Sequence, residues 1–157
     1  VRSILQQTVV PREIVVGDDA SSDETVAIVE ATVARFRREM PSLDVDVRVI
    51  RRPQPLGVTG NFEQTIAACT SRFIALCDQD DVWPTGRLAR LVSIFDDDAV
   101  ELVHTDARLI DAADADTGLL LLDALEATAD ERAALARGDA FRVLLRRNLV
   151  TGATVVL

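Results

Sequence analysis

Residues 73–77 read Phe-Ile-Ala-Leu-Cys, and the next four read Asp-Gln-Asp-Asp. No other stretch of the chain limits its fold as much. A continuous apolar run of strand length fits a central strand covered on both faces, the pattern of parallel sheets with helices above and below. The carboxylates that end it, Asp78, Asp80 and Asp81, cannot stay buried with it, so the strand must deliver them to a sheet edge. A second run behaves alike: Glu13-Ile14-Val15-Val16 stops at Gly17-Asp18-Asp19. Ligands of open α/β sheets bind outside the carboxyl ends of the strands. Both acidic clusters are therefore expected at that edge, converging on one site.

Helical stripes separate the runs, as an α/β domain requires. Val26, Val29, Val33, Phe36 and Met40 recur at intervals of three and four and are closed by Pro41. Ser21 and Glu24 have the spacing of a capping box ahead of them. Val45 to Ile50 alternates apolar and charged residues, which suits a half-exposed strand. Arg51 to Gly60, with two prolines and two glycines, reads as a loop, and Asn61 to Thr70 as a short helix. After Pro84, Leu88, Leu91, Val92 and Phe95 mark a helix that runs to a solvated acidic turn, Asp96-Asp97-Asp98. Glu101 to Thr105 reads as a strand and Asp111 to Asp123 as an Asp- and Ala-rich loop. Glu126 to Arg147 reads as two helices broken near Gly138, and Thr154 to Leu157 as the start of a last strand.

Composition removes several classes of function. The chain has 157 residues, with 26 acidic against 17 basic side chains and a net charge of −9. All the basic residues are arginine. An acidic surface cannot neutralise phosphates, so nucleic acid is not an expected partner. Without lysine there is no Schiff base, no P-loop amine and no receiver-domain lysine. Two cysteines, Cys69 and Cys77, and one histidine, His104, do not make an ordinary zinc site. Both thiols are expected to be buried. No apolar run approaches the roughly 18 residues of a membrane span. The chain opens on Val1 rather than methionine, which reads as a fragment.

Asp18, Asp19 and Asp23 each have a plain structural reading as turn and cap residues. The second cluster is harder to read that way. Like charges about 4 Å apart at an effective dielectric near 20 cost on the order of 4 kcal/mol per pair. A hard divalent cation with oxygen ligands, Mg²⁺ or Mn²⁺, offsets that cost most simply. A solvated acidic turn is the competing reading. His104 has a structural reading as a satisfied histidine. Trp83 reads equally as a helix anchor or as a ligand-packing side chain.

In their order along the chain, these segments resemble a known family. Ser3-Ile4-Leu5-Gln6-Gln7-Thr8, then Glu13 to Val16, then Asp18-Asp19-Ala20-Ser21-Ser22-Asp23-Glu24-Thr25 are similar to the start of family 2 glycosyltransferases. Leu56-Gly57-Val58 leading to Asn61 follows the same outline. Phe73 to Trp83 resembles the family's Asp-x-Asp segment, and its form Asp-Gln-Asp-Asp-Val-Trp is similar to the rhamnosyltransferase-like branch. Coverage is good to about Ile110 and thin beyond, apart from Thr151-Gly152-Ala153-Thr154.

The resemblance implies a GT-A (Rossmann-like) fold with a mixed, mostly parallel sheet flanked by helices, here incomplete at both ends. It implies one partial catalytic domain over residues 1–157, with the nucleotide-binding half at about 1–110. It implies transfer of a sugar from a nucleotide-diphosphate-sugar donor to a glycan or lipid-linked acceptor, on the cytoplasmic side and peripheral to the membrane. Asp19 with Asp18 would meet the donor base, Asp78 and Asp80 would lie near the ribose and metal, and Asp80 or Asp81 would ligate the cation. The family's usual base lies beyond the segment matching Thr151 to Thr154, so no catalytic base is nominated and the isolated chain is expected to be inactive. Two rivals remain. A non-catalytic nucleotide-sugar-binding module would share the same residues. A haloacid-dehalogenase-type phosphatase would use Asp78 as nucleophile, but its motifs occur in the opposite order and its usual lysine is missing.

Overall fold

A computed structural model describes residues 1–97 and 99–157, arranged as two compact units. The first comprises Val1–Ile74 and Val82–Ala99, and the second Ala75–Asp81 and Val100–Leu157. The expected acidic turn at Asp96-Asp97-Asp98 is exposed at Asp96 and Asp97; Asp98 lies outside the described residues.

The first unit is built on two parallel strands. β1 (Glu13–Asp18) pairs with β2 (Asp46–Arg51), in register from Glu13 opposite Asp46 to Asp18 opposite Arg51. A parallel pair needs a crossover, and α2 (Thr25–Glu39) supplies it. The helical stripe read from the sequence buries Val26, Val33 and Phe36, while Val29 and Met40 are half-buried. The capping box does not form. Asp23 accepts the Thr25 amide at 2.9 Å instead, because a shorter carboxylate two residues back reaches that group directly. Ahead of β1, α1 (Arg2–Leu5) buries Ile4 and Leu5. Beyond β2, α3 (Gly57–Ala67) starts four residues before the expected helix.

Gln7 ties α1 to α4 (Arg87–Val92). It is only 4% exposed, and every part of its amide is used: Nε2 donates to the Ser3 and Pro84 carbonyls, and Oε1 accepts the Leu88 amide at 3.0 Å. Leu88, Leu91 and Phe95 are buried in the same unit, and Phe95 packs on Phe73 with ring centroids 4.5 Å apart.

Two contacts fix the strands against α3. Gly17 is the first. A Cβ there would land on Thr65 Oγ1 and stand 2.8 Å from Asn61 Oδ1, so only glycine lets the helix approach so closely. Glu13 is the second. Its side chain, 8% exposed, accepts the Thr70 and Ser71 amides at 2.7 Å each and pairs with Arg48, which also donates to the Ala68 carbonyl. Burial alone would raise the Glu13 carboxyl. The amides of Thr70 and Ser71 and the Arg48 guanidinium outweigh it and hold the group at about 2, below the ordinary 4.5.

The second unit contains two short antiparallel ladders. β3 (Val103–His104) pairs with β6 (Val155–Val156), and β4 (Arg108–Ile110) pairs with β5 (Asp116–Leu120). α5 (Leu121–Ala124), α6 (Ala129–Ala136) and α7 (Ala140–Leu144) follow. Ala134, Val143 and Leu149 form a core cluster. Thr128 and Glu131 make the reciprocal capping box of α6, and Gly138, at φ 82°, separates α6 from α7 where the sequence places the break.

Three expectations are corrected here. Residues 73–77 do not form a strand buried on both faces. They are half-buried, and the ladder contacts are one bridge from Ala75 to Val156 and the Leu76 amide to the Val155 carbonyl at 3.0 Å. An apolar run becomes a central strand only where strands flank it on both sides. The expected loop at 111–123 is largely a hairpin, because Asp111 Oδ1 accepts the Ala113 and Ala115 amides and builds the turn from its own side chain. Cys69 and Cys77 are half-buried rather than buried, with their thiols on the Thr65 and Asp78 carbonyls.

Two measurements test this packing. Because Glu13 is depressed, its contribution is complete above pH 4.5 and is lost as pH falls through 4.5 to about 2. The stability gap between the wild type and Glu13→Gln, about 1–3 kcal/mol near neutrality, should close over that window in denaturant titrations; an unchanged gap at pH 3 refutes it. Gly17→Ala should cost roughly 1–3 kcal/mol, and part of that should return in Gly17→Ala/Thr65→Ala, which removes the obstructing hydroxyl.

Candidate functional site

Asp18 ends β1, and the residue is 5% exposed. Its Oδ1 is buried and has no hydrogen-bond partner among the described residues. A buried, unsatisfied carboxylate oxygen is expensive to hold. Beside it the chain continues from β2 into Arg52, whose amide donates to the Asp18 carbonyl at 2.9 Å. Arg52 Nε and Nη2 are likewise buried and unpartnered. The carboxyl end of this sheet thus carries an unmatched acceptor and an unmatched pair of donors.

Asp19 is fully committed. Its Oδ1 accepts the Leu56 amide at 2.7 Å and its Oδ2 the Gly57 amide at 2.9 Å, at the start of α3. These are amides that an α-helix cannot satisfy internally. Gly57, at φ 75°, gives the turn that presents them. The cap reading of Asp19 is therefore realised, and so is that of Asp23. Asn61, one turn into α3, donates from Nδ2 to the Gly17 carbonyl at 2.8 Å and holds the end of β1 in place. Directly after Asp19 the backbone turns through Ala20 at φ 64°, a conformation a β-carbon disfavours.

The second cluster lies in the other unit. Residues 78–81 form a turn in which the Asp78 amide donates to Asp81 Oδ2 at 2.7 Å and the Asp81 amide to the Asp78 carbonyl at 3.3 Å. Burial, then the Asp81 and Asp80 charges, raise the Asp78 carboxyl above its ordinary range. Asp80 is exposed. Among the described residues no three His, Cys, Asp or Glu side chains are gathered so as to hold a metal ion. His104 sits in β3, half-buried, with its imidazole pKa lowered by burial. Asp106 accepts the Leu122 amide at 3.0 Å. Trp83, 5% exposed, packs under the Arg87 guanidinium, 4.5 Å from the ring centroid, in a core role.

A cavity of about 530 Å³ in the first unit is lined by Arg2, Leu5, Gln6, Phe36, Met40 and Leu43 among others, and includes none of these carboxylates. The sequence reading missed Arg52. Its place one residue past a strand that ends beside Asp18 was the available signal.

Comparison with known proteins bears on these residues. An uncharacterized protein of Mycobacterium tuberculosis is 37% identical over 78 residues, half of this chain and 20% of that protein; one of Mycobacterium bovis matches to the same extent. A protein of Nostoc sp. named an uncharacterized glycosyltransferase is 31% identical over 105 residues, 66% of this chain and 30% of that protein. The chain thus spans about a fifth to a third of the relatives it matches. No solved structure matches it. The profile of glycosyl transferase family 2 matches residues 1–141, across β1, both acidic clusters and α6. On that match, and with an α/β architecture whose parallel strands are flanked by helices, the chain belongs to glycosyl transferase family 2.

Proposed function

We propose that this chain binds a nucleotide-diphosphate-sugar donor at the carboxyl end of β1 and β2 and takes part in moving its sugar to a glycan or lipid-linked acceptor. The observation that carries the reading is the buried, unpartnered Oδ1 of Asp18, together with the buried, unpartnered side-chain donors of Arg52, whose backbone amide meets the Asp18 carbonyl. A nucleobase edge that places an N–H next to a carbonyl oxygen satisfies both. Asp18 accepts the N–H and Arg52 donates to the oxygen. Asp19 supports the site indirectly, because its oxygens hold the start of α3.

Asp78 and Asp80 are assigned to the ribose and diphosphate side, with Asp80 and Asp81 as ligands of a divalent cation, Mg²⁺ or Mn²⁺. Such ions are commonly held by one or two carboxylates together with substrate phosphates, so a preformed three-residue cage is not required. The crowding that raises Asp78 is the kind of strain a cation relieves. When bound, the ion supplies charge stabilisation for the departing nucleoside diphosphate. The protein's own groups orient the base and hold the carboxylates in one turn. The Asp-Gln-Asp-Asp-Val-Trp form favours a deoxysugar donor such as dTDP-rhamnose, and a nucleotide-sugar donor favours the cytoplasmic side.

Calorimetric titration with a panel of nucleoside diphosphates and Mn²⁺ tests this. Binding should require the ion. Asp18→Asn, Arg52→Gln and Asp80→Asn should each weaken it by about tenfold or more, the first two also blurring the choice among bases. Metal-independent binding, or none, removes the assignment. A phosphoenzyme at Asp78 would mark a hydrolase instead.

A further inference from the structure

α7 buries Val143 against Ala134 and Leu149 and turns two large apolar side chains the other way. Phe141 is 76% and Leu145 72% exposed. Helical spacing continues past the end of α7, with the Leu145 amide on the Phe141 carbonyl and the Arg146 amide on the Val143 carbonyl, both at 3.0 Å. Phe141 and Leu145, four residues apart, therefore stand in one row. Arg142 and Arg146 form a second row beside it, and both are exposed. Neither makes a side-chain hydrogen bond or a close ion pair among the described residues, although the Arg146 charge helps lower the Glu131 carboxyl, whereas Arg147 is engaged by Glu131 and the Leu125 carbonyl. Residues 137–147 hold four arginines and one aspartate in a chain whose net charge is −9.

We propose that this face docks on an anionic lipid bilayer. Phe141 and Leu145 enter the boundary between headgroups and acyl chains, and Arg142 and Arg146 donate to lipid phosphates. An aromatic and an aliphatic residue flanked by arginines is the chemistry of interfacial binding, which requires no shape-matched partner. A second copy fits poorly. A symmetric contact would set arginine row against arginine row, and two apolar side chains fall far short of the roughly 800 Å² per partner of a stable interface. The proposal does not rest on the donor-site reading, and either can fail alone.

Flotation with phosphatidylcholine vesicles, with and without 30% phosphatidylglycerol, tests it. The chain should float with the anionic vesicles only. Arg142→Gln and Arg146→Gln should each lower partitioning about fivefold, and Phe141→Ser/Leu145→Ser should abolish flotation while circular dichroism stays unchanged. Phe141→Trp should retain binding, and its indole should be quenched by brominated acyl chains; Trp83, 5% exposed, should not. Absence of flotation, flotation indifferent to these substitutions, or an unquenched Trp at 141 overturns the proposal. So does concentration-dependent self-association that Phe141→Ser removes without any vesicle binding.

Discussion

The first unit depends on one carboxylate. Glu13 opens β1, yet its oxygens reach the chain just past α3 and the arginine in the middle of β2. Strand, neighbouring strand and helix exit therefore meet at a single anion. Arg48 completes the arrangement by donating to Ala68, at the end of the same helix. With the exit of α3 tied at one end of β1, Asn61 and the bare Cα of Gly17 tie its body near the other. The position of Asp18 follows from these two ties.

Much of this could be read in the sequence, because the physics was local. The stripe through Val26, Val33 and Phe36 is periodic, and a periodic stripe needs only one apolar surface to lie on. The break at Gly138 depends on one residue's backbone freedom. What escaped was set by partners distant in sequence. The run 73–77 has the composition of a central strand, but only neighbouring strands can make it one. Gly57 fell within the segment read as a loop and instead begins α3, since Asp19, far back in the chain, takes its amide. The hairpin turn at Asp111 is the exception: the interaction is local, but an Asp- and Ala-rich segment carries little apolar contrast to reveal its strands.

The site was legible as positions more than as roles. The first acidic cluster was evident as strand-end carboxylates; the second was evident as a cluster, but the strand expected ahead of it does not form. Which of them would be spent on the fold was not. Asp19 and Asp23 hold backbone amides, while Asp18 retains an unmatched oxygen, and only the geometry separates those outcomes. Arg52 was hidden by company, as one of 17 arginines spread along an acidic chain.

The double hold of Asp19 on α3 has one further consequence. The start of a helix is ordinarily a berth for phosphate, because its exposed amides and dipole attract negative charge. In α3 that berth is already filled by an anion of the chain itself. A diphosphate drifting towards it would meet a carboxylate. On the proposed reading, the base end of a nucleotide is the end this edge would accept, and the ligand would be given a direction before any phosphate-binding group is engaged.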